Sequence, residues 1–156
     1  MRRVHLAHGM LERDGRILLV ASQYPNQPAP LWNLPGGRQR EGELLEGTLR
    51  REFVEEVGLV TEVLELRYVA ESYDAATSTH FTSFVFAVTA PASDAARANV
   101  GDAHVVDCAW VRREDLHARL TVRVVREPLL EHLADPRARY FGYAKADITI
   151  EFRDEA

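Results

Sequence analysis

One stretch of this chain admits few alternatives: Gly37 to Leu59, GRQREGELLEGTLRREFVEEVGL. Leu45, Leu49, Phe53 and Val57 recur every four residues, which on an α-helix gathers them into one apolar stripe. Glu52, Glu55 and Glu56 stand at i, i+3 and i+4, so the same helix carries three carboxylates on one face. Like charges at those spacings destabilise an isolated helix by roughly 0.2–0.5 kcal/mol per pair. A hard divalent cation held by oxygen ligands turns that repulsion into binding energy. Upstream, Pro35-Gly36-Gly37 predicts a tight turn, because glycine reaches backbone conformations that other residues resist. Downstream, Gly58 predicts the end of the helix as a C-cap. The spacing therefore predicts a helix over Leu44 to Val57, with one face for a core and another for a charged site.

An isolated E-x-x-E-E is ordinarily a solvated helix face. Here it is embedded in a longer order. Gly37, Glu43, Arg51, Glu52, Phe53, Glu55, Glu56, Gly58 and Leu59 satisfy G-x5-E-x7-R-E-U-x-E-E-x-G-U, where U is bulky and apolar. From the residue frequencies of this chain, a chance match is on the order of one in a hundred million per starting position, which sets the solvated-face reading aside. The pattern resembles, without a miss, the signature of the Nudix hydrolases, and it covers 23 of 156 residues.

The resemblance implies a fold, a reaction and a set of roles. The fold is an α/β/α sandwich with a mixed sheet. The reaction is hydrolysis of a pyrophosphate bond in a nucleoside diphosphate linked to another group, with Mg²⁺ or Mn²⁺ as cofactor. Glu52 and Glu56 correspond to metal ligands, and Glu55 to a third ligand or to the base that activates water. The carbonyl of Gly36 or Gly37 completes the metal shell in the family. Arg51 and Glu43 correspond to an ion pair that fixes the loop before the helix. The chain departs from the commoner pattern at Leu44, where Ser is frequent, and at Gly47-Thr48, where Glu-Ala is common. A helical glycine costs about 1 kcal/mol relative to alanine, which bears on local rigidity rather than on metal binding. The competing class is a module of the same fold that senses a nucleotide without cleaving it. Such modules often lose a signature glutamate, and all three are present here. An isomerase on this fold would need further cysteine and glutamate chemistry, and Cys108 is the only cysteine.

The remaining chain reads as alternating strands and helices, by pattern one α/β or α+β domain over residues 1–156. Arg3 to Leu11 and Arg16 to Ser22 are strands joined through Asp14-Gly15, a strong hairpin signal. Pro25, Pro28 and Pro30 mark Tyr24 to Pro30 as a surface loop, followed by a short strand over Leu31 to Leu34. Val60 to Ser72 and Phe81 to Thr89 predict strands around a turn at Asp74 to Thr79, and Val105 to Val111 predicts another. Ala90 to Gly101 reads as a loop or frayed helix. Glu114 to Leu120 reads as a helical turn and Val124 to Ala134 as a helix. The alternation of Ile148, Ile150 and Phe152 predicts a C-terminal strand.

A net charge of −5 argues against a nucleic-acid polymer as partner. Among the basic residues, 18 are Arg and one, Lys145, is Lys, a supply of forked donors suited to phosphate oxygens. With one cysteine there is no intramolecular disulfide and no Cys-based zinc site, and a buried, inert thiol is the role expected of Cys108. No signal peptide and no apolar run of membrane-spanning length is present, which leads to the expectation of a cytoplasmic protein. The partners expected are a small-molecule nucleotide and, for any self-association, a second copy of the chain in a homodimer. Aromatic candidates for stacking on a base are Tyr24, Trp32, Tyr73 and Phe81, with Tyr24 favoured by its loop setting. The loops Tyr24 to Pro30 and Asp74 to Thr79 are expected to set specificity. Asp102, His104 and Asp107 lie where some relatives place a further ligand or base, but a surface loop is the preferred explanation of all three. His5, His8, His80, His117 and His132 show no metal-ligand spacing.

Overall fold

The structure is a computed structural model that describes residues 1–98 and 104–152. Strands β1 (Arg2–Arg13) and β2 (Arg16–Ser22) meet across Asp14 and Gly15, whose φ values of 53° and 75° suit a two-residue hairpin turn. The run Ile17 to Ala21 has no polar break because β2 is buried on both faces. Ile17 and Leu19 enter one core with Met10, Tyr68, Val85 and Leu129. Leu18 and Val20 enter the opposite one with Ala7, Leu49, Phe53 and Val57.

Around this hairpin lie β3 (Leu31–Asn33), β4 (Gly36–Arg38), β5 (Glu62–Asp74), β6 (Thr79–Thr89), β7 (Val105–Arg112) and β8 (Tyr140–Tyr143). The order is β3-β2-β1-β6-β5-β8, with β4 also paired to β1 and β7 to β2. β1 and β6 are parallel, as are β5 and β8, and the other pairs are antiparallel, so the sheet is mixed. Helix α1 (Leu45–Val57) covers one face, while α2 (Leu116–Arg119) and α3 (Arg123–Ala134) contribute Leu116 and Leu129 to the core of the other. A single 3₁₀ turn, Arg113–Asp115, leads into α2. The result is the expected mixed α+β sandwich. Among the described residues no helix is long and apolar enough to cross a membrane.

Helix α1 is held by its stripe. Leu49, Phe53 and Val57 are wholly buried, each contributing roughly 1.5–3 kcal/mol by area burial. The helix also lies close on β1, since a Cβ at Gly9 would meet the Phe53 ring at 2.6 Å. Gly58, at φ 70°, ends it: its N–H donates to the Val54 carbonyl and that of Leu59 to the Phe53 carbonyl.

Two local expectations change. Pro35-Gly36-Gly37 is not a free turn, because Gly36–Arg38 forms β4 and pairs with Leu6, Ala7 and His8 of β1. The C-terminal strand stops at Tyr143, where its parallel pairing with β5 ends at Ser72. Beyond it, Ile148 to Phe152 has no strand assignment and is tied down by other bonds.

Candidate active site

The loop before α1 is closed by one ion pair. Arg51 donates from Nε to Oε2 of Glu43 at 2.8 Å and from Nη2 to Oε1 at 2.9 Å, a two-pronged clamp. The Arg40 N–H and the Thr48 hydroxyl donate to the same Oε1. Arg51 holds the Glu43 carboxyl down at about 2, and Glu43 in turn raises the guanidinium of Arg51. Thr48, one of the two departures noted after Leu44, is therefore a brace for Glu43. Gly47 has open space where a side chain would stand, so nothing in the packing requires it to be glycine. Leu44 occupies the N-cap without a side-chain bond to the helix.

The three signature glutamates have three different environments. Glu52 accepts from Arg51 Nη1 at 2.9 Å, and Glu55 from the same nitrogen at 3.3 Å. Glu55 is the most open of these ion-paired carboxylates, with a third of its side chain exposed. Glu56 is buried, and its Oε1 accepts the Gly36 N–H at 2.8 Å. The glycines of β4 make this approach possible. A Cβ on Gly37 would stand 2.6 Å from Oε1 of Glu52, and one on Gly36 would stand 2.1 Å from the Ala7 carbonyl. Gly36 also has φ 151°.

No three acidic, histidine or cysteine side chains form a ready metal cage among the described residues, because Arg51 bridges Glu52 and Glu55 while Glu56 is turned to β4. The donor chemistry nevertheless fits a hard divalent ion: three carboxylates on one helix, with the Gly37 backbone against one of them.

These groups border a cleft of about 840 Å³. Its floor uses alternate residues of neighbouring strands, among them His8 of β1, Ser83 of β6 and Ser72 of β5. Burial holds the His8 imidazole down at about 4. The far wall is the C-terminal segment, through Ile148, Ile150 and Phe152. Phe152 lies edge-on to Tyr24 at 5.8 Å and tilted to Phe81 at 6.1 Å, under the Arg38 guanidinium at 4.0 Å. Asn26 fastens the segment, donating to the Thr149 carbonyl and accepting the Glu151 N–H, and Gln27 also donates to Thr149.

The other aromatic candidates separate. Tyr24 and Phe81 line the cleft, but Trp32 does not: it lies in a second groove beneath the Arg119 guanidinium at 4.5 Å. Tyr73 also lies outside the cleft lining, with its hydroxyl 3.3 Å from that of Ser78. The turn at Asp74 to Thr79 is absent from the lining and is closed by Asp74 on the Ala76 N–H and the Thr77 hydroxyl. His104 lines the cleft beside Tyr24. Asp107 is exposed, outside the lining, and caps the Cys108 N–H. Asp102 lies outside the described residues. Cys108 is half-buried, and burial pushes its thiol up. Sequence reasoning gave no site role to His8, Ser83, Asn33 or Phe152. Only Phe152 carried a visible signal, the apolar alternation of the segment.

A mixed sheet between helices is a fold that solved structures share. The MutT protein from Methanosarcina mazei Go1 matches with a TM-score of 0.73 over 87% of this chain and 96% of that one. At 17% identity this is a likeness of fold alone. The NUDIX domain model matches residues 1–133, and the chain belongs to the Nudix family. Among curated relatives, an ADP-ribose pyrophosphatase of Methanocaldococcus jannaschii is 38% identical over 79 residues, which is 50% of this chain and 46% of that protein. A CTP pyrophosphohydrolase of Escherichia coli is 36% identical over 70 residues, 45% of this chain and 50% of that protein. The chain thus spans about half the length of the curated relatives it matches.

Proposed function

We propose that this protein is a divalent-metal-dependent pyrophosphohydrolase acting on a nucleoside diphosphate linked to a second group. The observation that carries the reading is the intact Glu52, Glu55 and Glu56 set, braced by the Arg51–Glu43 clamp and opening onto a cleft of about 840 Å³. The cleft is within the roughly 300–1,000 Å³ range of small-molecule sites. The names of the two curated relatives, one for ADP-ribose and one for CTP, support the bond class and leave the organic group open.

Glu52 and Glu56 would hold Mg²⁺ or Mn²⁺, with a carbonyl of Gly36 or Gly37 as a further oxygen. When bound, such an ion neutralises phosphate charge and orients the scissile bond. Glu55, partly exposed and paired with Arg51, would be a third ligand or the base that takes the proton of an attacking water. Arg51 keeps the loop and the carboxylates aligned rather than reacting. Tyr24, Phe81 and Phe152 offer aromatic faces to a base.

Hydrolysis in ¹⁸O-labelled water tests the reading. Label should appear on a phosphate-bearing product, and excess chelator should abolish turnover. Label on sugar or base, or full activity in chelator, excludes the mechanism. Tight nucleotide binding without any turnover would put the sensing module in its place.

A further inference from the structure

Three side chains on the cleft floor form a hydrogen-bonded chain that runs in one direction. Asn33 Oδ1 accepts the Leu34 N–H at 2.7 Å, which fixes the amide and turns its Nδ2 toward Nε2 of His8 at 3.5 Å. An amide nitrogen donates and does not accept, so Nε2 of His8 is the acceptor. A neutral imidazole that accepts at Nε2 carries its proton on Nδ1. That Nδ1 lies 2.8 Å from the Ser83 hydroxyl oxygen. Ser83 therefore accepts from His8, and its own proton must point elsewhere. No other side-chain hydrogen bond of Ser83 is present among the described residues, and Ser83 lines the cleft.

Position decides what the hydroxyl can meet. Ser83 on β6 and Arg38 on β4 both pair with Leu6 of β1, from its two sides. Two strand spacings separate them, about 10 Å across the sheet. The glutamates border β4, so Ser83 lies beyond the phosphate end of the cleft.

We propose that Ser83 donates a hydrogen bond to an acceptor atom, a carbonyl oxygen or ring nitrogen, on the organic part of a bound nucleotide. His8 and Asn33 are positioning residues that occupy one lone pair of the hydroxyl and leave its proton free for that bond. The inference rests on the nucleotide reading above. It adds a preference: a ligand acceptor takes the free hydroxyl proton directly, whereas a ligand donor must use the second lone pair of the oxygen and leaves that proton without a partner.

Nitrogen-15 NMR of the imidazole in the full chain tests the direction without any ligand. His8 should show a protonated Nδ1 and an unprotonated Nε2 at neutral pH, and the reverse tautomer overturns the proposal. Calorimetry with the α,β-methylene analogues of CTP, GTP and ATP in Mg²⁺ tests the contact. Ser83→Ala should weaken the best-bound analogue by about 3- to 10-fold, the worth of one neutral hydrogen bond. Ser83→Thr, which keeps the hydroxyl, should bind as the wild type does, and inorganic pyrophosphate should bind both variants equally. Unchanged analogue affinity in Ser83→Ala, or an equal loss for pyrophosphate, overturns the proposal while leaving hydrolysis by the wild type standing. Failure of every nucleotide to bind or turn over in the wild type overturns both readings together.

Discussion

Arg51 grips Glu43 with two nitrogens, at 2.8 and 2.9 Å, across the loop that opens the signature helix. The same guanidinium touches Glu52, Glu55 and the Arg38 carbonyl. One side chain thus ties the loop, β4 and two signature carboxylates together. Arg51→Ala strands a partly buried carboxylate and should cost about 2–3 kcal/mol. For a domain of this size that is a fall in Tm of about 5–10 °C. Activity should fall with it. A variant with wild-type Tm and no activity would instead make Arg51 a direct phosphate contact.

Glu56→Gln keeps shape and removes one negative charge beside β4. Turnover should fall by roughly 100-fold or more, equal to about 2.7 kcal/mol of barrier. The fold should persist, because the amide oxygen can still accept the Gly36 N–H. Calorimetry should show weaker Mg²⁺ binding. Unchanged turnover would remove Glu56 from the metal site.

Phe152→Ala removes the ring that meets Tyr24, Phe81 and Arg38. With aromatic contacts worth about 0.5–1.5 kcal/mol, KM should rise by roughly 2- to 10-fold at nearly constant kcat. Equal KM in both proteins would limit the C-terminal segment to a structural role.

Acid should weaken the chain through Glu43. Its carboxyl titrates near 4.5 in the unfolded chain and at about 2 when folded. The clamp's contribution is therefore complete above pH 4.5 and is lost as pH falls from 4.5 toward 2. Partial exposure limits the loss to about 2 kcal/mol. Urea unfolding across that window should show a steeper pH dependence for the wild type than for Glu43→Gln. Parallel curves would mean that the clamp does not depress the carboxyl.

What was legible in the chain was local. The stripe Leu45, Leu49, Phe53 and Val57, the C-cap at Gly58 and the hairpin at Asp14-Gly15 depend on near neighbours and on φ preferences, and each has its element in the structure. The spacing of Glu52, Glu55 and Glu56 likewise placed them on one helix, because 3.6 residues per turn fixes their bearings.

Tertiary structure decided the rest. Pro35-Gly36-Gly37 looks like a turn in isolation, but β1 offers unpaired backbone groups that recruit Gly36–Arg38 as a strand. Trp32, Tyr73 and Phe81 read alike in the sequence, and Tyr24 stands apart only by its loop; in the structure Tyr24, in the loop after β2, and Phe81, on β6, line the cleft, while Trp32 lies under Arg119. His8 carries no spacing signal, because its partners, Ser83 and Asn33, lie 75 and 25 residues away. Phe152 meets Tyr24 only because the chain returns past β8 to close the cleft. Chain neighbours thus determined the elements and the carboxylate helix. Contacts between distant segments, strand pairing together with the docking of the C-terminal segment on the Tyr24 loop, determined which side chains share the cleft, since those contacts exist only once the chain has folded.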